Sequence, residues 1–134
     1  MLKEMKFRFS EKKYFIFLIV ILAALNIIAQ DTKVKPKVTF VELGSVNCIP
    51  CKQMQPIMKS IEEKYGEQVK VVFYDVWKDD QKKYAQQYGI KLIPTQVFLD
   101  EKGKEFHRHE GFYPEAEIDK LLKTKGLKPQ VKKG

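Results

Sequence analysis

The feature that most restricts the fold of this chain is its single pair of cysteines, Cys48 and Cys51, separated by two residues. The pair lies between a run of strand-forming apolar residues, 38–43, and a pattern of helical spacing that begins at Ile49. A cysteine pair at a strand-to-helix junction can form and break a disulfide bond without moving the rest of a fold. One pair is too few for a disulfide scaffold or for a four-cysteine zinc site. The sequence therefore indicates redox chemistry in an α/β domain.

The length and composition are typical of one globular domain with terminal extensions. The chain has 134 residues, which is long enough for one domain with a core and too short for two. Hydrophobic residues make up 44% and charged residues 31%, which is an ordinary globular balance. The formal net charge is +8. Part of this excess lies before residue 14 and part in the final lysine-rich stretch, and neither stretch shows the interleaved aromatic residues of a nucleic-acid-binding module. We therefore expect no nucleic-acid partner, and we expect a monomer.

The first 30 residues have the pattern of an export segment. Residues 1–13 are rich in lysine and arginine, and residues 14–29 are almost wholly apolar. As a helix, residues 14–29 would be about 24 Å long, which is less than the roughly 30 Å hydrocarbon core of a membrane. We assign residues 1–30 as a signal peptide or, alternatively, as an N-terminal membrane anchor that contacts the membrane through residues 14–29. In both cases the following domain is expected to be extracytoplasmic, in the periplasm or on the outer face of the cell membrane.

The remaining sequence predicts alternating strands and helices. We assign residues 31–37 as a linker, residues 38–125 as the domain and residues 126–134 as a basic tail. The predicted strands are 38–43, 69–76, 94–99 and 104–109, and a hairpin turn joins the last two. Three helices are predicted. The first starts at Ile49, the second is capped by Asp79 or Asp80, and the third starts near Pro114. This β-α-β-α-β-β-α order predicts an α/β fold with a mixed four-stranded sheet flanked by helices.

From Val38 to Leu122 the sequence resembles the thioredoxin family. The matching motifs are Cys48-Ile49-Pro50-Cys51-Lys52, the helix proline Pro56, Tyr88-Gly89-Ile90, the cis-proline segment Ile93-Pro94-Thr95, and Gly111 after the hairpin. The sequence departs from the family at three positions: Asn47 replaces the usual tryptophan, Ile49 replaces a glycine, and Glu42 replaces the buried aspartate. The resemblance implies a thioredoxin-like fold and a thiol–disulfide oxidoreductase.

The two cysteines are expected to have different roles. Cys48 lies just before a helix, where free backbone N–H groups and the helix dipole stabilise a thiolate and lower its pKa. Attack by Cys48 on a substrate disulfide gives a mixed disulfide, which the more buried Cys51 then resolves. An inert structural bridge is disfavoured, because closing so short a loop stabilises a fold very little.

Glu42 is the one acidic residue of an apolar strand, and the resemblance aligns it with the buried acid of the family. If it points inward, burial raises its pKa and makes it a proton acceptor for Cys51. The alternative is a carboxylate that reaches solvent at the strand end. The resemblance also implies a cis Ile93–Pro94 bond, with the Ile93 backbone pairing with an extended substrate. The residues expected to bind substrate are Ile49, Pro50, Ile93 and Pro94.

These features predict an extracytoplasmic enzyme that reduces or isomerises protein disulfides. Its motif keeps the proline of reducing thioredoxins and lacks the histidine of strongly oxidising relatives, so we expect a membrane protein to supply its electrons. No cofactor is expected beyond the Cys48–Cys51 disulfide. Two alternatives remain open: a dedicated reductase of apocytochrome c in cytochrome maturation, and a redox-inactive binding or metal-carrier module. His107 and His109 could complete a zinc site with the cysteines on paper, but they lie far along the hairpin, so no metal is expected.

Overall fold

Strands and helices follow one another in the predicted β-α-β-α-β-β-α order in the computed structural model, which describes residues 34–130. The strands are β1 (Val38–Gly44), β2 (Val69–Asp75), β3 (Thr95–Leu99) and β4 (Glu105–Glu110). The helices are α1 (Ile49–Tyr65), α2 (Lys83–Gln87) and α3 (Glu115–Thr124), and a short 3₁₀ helix, Gly66–Gln68, follows α1. The predicted signal peptide or anchor, residues 1–30, lies outside the described residues. Within residues 34–130, no helix combines the length and apolarity that a membrane crossing requires.

The four strands form one mixed sheet in the order β2-β1-β3-β4, which confirms the predicted fold. Strand β1 is parallel to β2 and antiparallel to β3, and β4 is antiparallel to β3. The register pairs Leu43 with both Tyr74 and Thr95, and Thr95 with Glu110. The ends of β1, β2 and β4 and the start of β3 therefore meet at one end of the sheet. We call this the cysteine end, because α1 and its cysteines follow β1 there.

Both faces of the sheet are covered, which explains why β1 has apolar residues on both of its faces. Val38 and Phe40 of β1 belong to the core that includes residues of α1 and α3, whereas Val41 and Leu43 belong to the core on the α2 side. Phe40 stacks on Phe98 of β3 with ring centroids 4.8 Å apart. Because side chains alternate along a strand, Glu42 and Gly44 lie on the same face as Phe40, toward α1.

The predicted start of the second helix is wrong. Helix α2 begins at Lys83, its N-cap position is Lys82, and no side chain caps it. Asp79 instead forms a surface ion pair with Lys82 at 3.0 Å, and Asp80 is exposed. The chain makes turns after β2 before the helix begins, so both aspartates lie ahead of it. Gln81 stabilises these turns by accepting a hydrogen bond from the Asp75 N–H at 2.8 Å.

The first residues of the predicted basic tail, 126–130, pack against the domain. Leu127 is 2% exposed and belongs to the core with α1 and α3. The Gln68 side-chain amide donates to the Lys128 carbonyl at 2.8 Å, and the Gln130 N–H donates to the Lys64 carbonyl at 2.7 Å. Residues 126–130 are therefore part of the packed structure, and residues 131–134 lie outside the described ones.

Candidate active site

Cys48 and Cys51 form a disulfide bond across the first turn of α1, with Cα atoms 5.2 Å apart. Cys48 is the N-cap residue of the helix, and the Cys51 N–H lies 3.4 Å from the Cys48 Sγ atom. Cys48 is 9% exposed and Cys51 is completely buried, which confirms the predicted difference in burial. Pro50 lies in the first turn, where a missing N–H costs no helical hydrogen bond. Of the two cysteines, only Cys48 thus retains any exposure to solvent.

Two polar side chains without a predicted role hold the loop before Cys48. The Ser45 hydroxyl accepts from the Asn47 N–H at 3.2 Å, and the Ser45 carbonyl accepts from the Cys48 N–H at 3.2 Å. Asp75, at the end of β2, accepts from the Val46 N–H at 3.4 Å. Both Ser45 and Asp75 are buried. Ser45 directly follows β1 and Asp75 ends β2. These positions could have identified both residues from the sequence, because parallel strands bring their ends to the same edge of a sheet.

Gly44 makes room for the buried sulfur. A Cβ atom at Gly44 would lie 3.2 Å from both the Cβ and the Sγ of Cys51, closer than ordinary packing allows. Glu42 lies two residues earlier on the same face of β1, about 7 Å along the strand. The Cys51 sulfur and the Glu42 side chain therefore occupy the same layer between β1 and α1.

Glu42 is completely buried and points into this layer, as predicted. Burial raises the pKa of its carboxyl from 4.5 to about 8, and a hydrogen bond from Gln96 opposes that rise. The Gln96 Nε2 atom donates to Glu42 Oε1 at 3.3 Å, while Glu42 Oε2 is buried without a hydrogen-bond partner among the described residues. A carboxyl with such a pKa exchanges its proton near neutral pH, as a general base or acid must. The catalytic role of Glu42 itself stays a prediction.

The Ile93–Pro94 peptide bond is cis, as predicted. Pro94 is buried and Ile93 half-buried, and both precede β3 at the cysteine end of the sheet. The Thr95 hydroxyl donates to the Leu92 carbonyl at 2.7 Å, and the Gly111 N–H donates to the Pro94 carbonyl at 2.8 Å. These bonds hold the segment that is expected to contact substrate, although the binding roles of Ile93 and Pro94 stay predictions.

Apolar side chains are exposed around the cysteine pair. Of the large hydrophobic side chains that are exposed within residues 34–130, all but Val34 belong to loops or the helix start at the cysteine end of the sheet. They are Val46, Ile49, Trp77, Leu92 and Phe112. Ile49, between the cysteines, is 74% exposed. This placement can offer an apolar polypeptide a surface to contact.

The two histidines contact the loop after β4. The His107 Nε2 atom lies 3.1 Å from the Tyr113 hydroxyl, and the His109 Nε2 atom lies 3.1 Å from the Phe112 carbonyl. The His109 ring also stacks on Tyr113 with centroids 4.0 Å apart. Across residues 34–130, no group of three or more histidine, cysteine, aspartate or glutamate side chains is placed to hold a metal ion.

Comparisons with known proteins agree with this geometry. A sequence model of the thioredoxin-like domain family matches residues 24–126. Thioredoxin from Bacillus subtilis is 31% identical over 75 residues, which are 56% of this chain and 69% of that protein. The SPbeta prophage-derived thioredoxin-like protein YosR of Bacillus subtilis is 32% identical over 83 residues, which are 62% of this chain and 92% of that protein.

Solved structures show the same fold. The structure of reduced Schistosoma mansoni thioredoxin is similar with a TM-score of 0.57 and 27% identity, over 68% of this chain and 81% of that one. A mutant thioredoxin from Halobacterium salinarum is similar with a TM-score of 0.59 and 22% identity, over 72% of this chain and 79% of that one.

Proposed function

Since this chain belongs to the thioredoxin-like family, we propose that its cysteine pair reduces or isomerises disulfides of exported proteins outside the cytoplasm. The chain is a protein-disulfide oxidoreductase with Cys48 and Cys51 as its redox pair. The observation that carries the proposal is the unequal burial of the two sulfurs at the start of α1. Cys48 is 9% exposed, whereas Cys51 is completely buried in the same layer as Glu42.

The first step is a thiol–disulfide exchange at Cys48. In the reduced enzyme, the Cys48 thiolate attacks one sulfur of a substrate disulfide, and the backbone N–H of Cys51 and the helix N-terminus stabilise the negative charge. The substrate S–S bond breaks as the Cys48–substrate bond forms. The second substrate sulfur leaves as a thiolate and takes up a proton.

The second step releases the substrate. Cys51 loses its proton to Glu42 and attacks the Cys48 sulfur, so the Cys48–Cys51 bond forms as the mixed disulfide breaks. The substrate sulfur leaves as a thiolate and takes up a proton. The substrate has then gained two electrons from the enzyme dithiol. The product is the disulfide that the structure contains. A dithiol donor must reduce it again, and we assign this task to a membrane protein because the domain is expected to lie outside the cytoplasm.

The exported location is supported by the cationic stretch 1–13 followed by the apolar stretch 14–29. N-terminal sequencing of the protein from soluble and membrane fractions tests both forms of this proposal. A new N-terminus near residue 30 in the exported soluble fraction indicates cleavage, and an intact N-terminus in the membrane fraction indicates an anchor. Protein with an intact N-terminus that is confined to the cytosol contradicts export.

Insulin-disulfide reduction with dithiothreitol tests the enzymatic function. The wild-type protein is expected to accelerate precipitation of the insulin B chain, and Cys48→Ala is expected to lose that acceleration. Urea unfolding of Cys48→Ala shows whether the variant retains its fold. Equal rates with wild type and Cys48→Ala would favour a redox-inactive binding module instead.

Equilibration with glutathione tests the direction of electron flow. If the enzyme is a reductant, its Cys48–Cys51 disulfide is harder to reduce than the disulfide of oxidised glutathione. The cysteine pair should then stay oxidised until the glutathione buffer is almost wholly reduced. A pair that becomes reduced in a mostly oxidised glutathione buffer would identify an oxidant.

A further inference from the structure

The Gln96 side chain is a buried amide opposite the buried acid. Gln96 is completely buried and pairs in register with Glu42 across β1 and β3. Its Nε2 atom donates two hydrogen bonds, to Glu42 Oε1 at 3.3 Å and to the Gly111 carbonyl at 3.1 Å. The carbonyl decides which way the amide points, because a carbonyl oxygen can only accept and therefore requires the NH₂ group. The same NH₂ group is thereby directed at Glu42.

The hydrogen bonds continue from Gln96 to the cis-proline segment. The Gly111 carbonyl accepts from Gln96, and the Gly111 N–H donates to the Pro94 carbonyl at 2.8 Å. Gly111 has φ 87°, a backbone conformation that residues with a side chain rarely adopt. Three consecutive hydrogen bonds thus connect the buried carboxyl with the segment before β3.

This arrangement is unfavourable as a device for stability alone. Glu42 Oε2 and Gln96 Oε1 are both buried without hydrogen-bond partners among the described residues. Burying unpaired polar atoms destabilises a fold, and an apolar side chain at position 96 would pack beside Phe98 without that penalty. A functional explanation is therefore required.

We propose that Gln96 is a positioning residue, which holds the Glu42 carboxyl in the layer that also contains Cys51 and joins it through Gly111 to the Pro94 segment. The inference rests on the proposed function, in which Glu42 accepts the Cys51 proton. Gln96 itself takes no part in the exchange of electrons. It acts by fixing the direction of the Glu42 side chain and by stabilising its ionised form.

The surroundings of Glu42 leave Gln96 as the polar group that controls it. Helix α1 contributes the Cys51 sulfur on this face, and β2 contributes the apolar Phe73, which pairs in register with Glu42. The Gly111 carbonyl of the loop after β4 bonds to Gln96. The pKa of Glu42 has two causes, burial, which raises it, and the hydrogen bond from Gln96, which lowers it. Neither cause is a charged side chain. Removal of the amide therefore leaves burial unopposed and raises the pKa further.

A direct titration of Glu42 in the full-length protein tests this inference without relying on activity. The ¹³C signal of the Glu42 carboxyl, assigned by its loss in Glu42→Gln, is followed by NMR from acid to alkaline pH. Gln96→Leu keeps the volume and removes the donor, and we expect the titration midpoint to rise by about one pH unit. Phe98→Leu is the matched control, on the same strand and face, and should leave the midpoint unchanged. An unchanged midpoint in Gln96→Leu overturns the inference.

The rate at which Cys51 resolves a mixed disulfide gives the functional result. In Gln96→Leu the pH at which this rate rises should shift upward by the same amount. At pH 7 the variant should therefore resolve the mixed disulfide about tenfold more slowly than wild type. In a Glu42→Gln background, Gln96→Leu should cause no further shift, because the group on which it acts is gone. A wild-type protein without disulfide-reducing activity would refute the proposed function, while the NMR titration would still decide the role of Gln96.

Discussion

Glu42 should make the stability of this protein fall as the pH rises, which is opposite to the effect of an ion-paired carboxylate. In the folded protein the pKa of Glu42 is about 8, against 4.5 for an ordinary glutamate. Between these values the unfolded chain has released the proton that the folded chain still holds. The unfolded state is therefore favoured progressively as the pH rises through this window, and the loss of stability levels off above about pH 8.

The substitution Glu42→Gln removes this titration and keeps the size of the side chain. One pKa unit corresponds to about 1.4 kcal/mol, so the wild-type protein should lose about 3 kcal/mol of unfolding free energy between pH 4 and pH 7 through this group alone. At pH 4 both proteins carry a neutral side chain, and their stabilities should agree within about 1 kcal/mol. At pH 7 the variant should be more stable by about 3 kcal/mol.

Urea unfolding of the disulfide-bonded, full-length protein, followed by circular dichroism at intervals from pH 4 to pH 8, measures this difference. Val97→Ala is a suitable control, because Val97 is fully buried on the opposite face of β3 and adds no titratable group. Its loss of stability relative to wild type should be the same at every pH. A difference between wild type and Glu42→Gln that does not change with pH would refute the reasoning from burial.

Three further predictions concern the packing and the surface of the domain. Gly44→Ala would force the buried sulfur aside, so a mixed disulfide with substrate should persist longer on quenched gels, and an unchanged lifetime contradicts the tight packing. Ile49→Ser should raise KM for insulin several-fold without changing the rate with a small aromatic disulfide; Val34→Ser, at the opposite end of the sheet, should change neither. Leu127→Ala should lower the unfolding free energy by about 2 to 4 kcal/mol, whereas the exposed Lys128→Ala should stay within about 0.5 kcal/mol.

The main features of the active site could be predicted from the sequence because they depend on short distances along the chain. The spacing of Cys48 and Cys51 places both sulfurs on one helical turn, and an apolar strand before them places that turn at the end of a sheet. The resemblance around Pro94 was sufficient to predict its cis bond. For Glu42 the apolar strand alone left burial and solvent contact open, and the resemblance to the family's buried acid favoured the burial that the structure shows.

Some features could not be predicted because the local signal was misleading or weak. A helix start was expected at Asp79 or Asp80, whose side chains are good caps, but the turns that Gln81 stabilises delay the helix to Lys83. A single leucine among lysines, Leu127, carries no periodic pattern, and its burial depends on the surface that α1 and α3 present to it.

The sequence was sufficient to indicate the chemistry, but only the folded structure shows how the buried acid is held. Glu42 and Gln96 are 54 residues apart and meet because the register of β1 and β3 places them side by side. The glycine that makes room for Cys51 is likewise recognised only when α1 packs on β1. Such contacts depend on how strands pair and how layers pack, and each of these is set by the whole core.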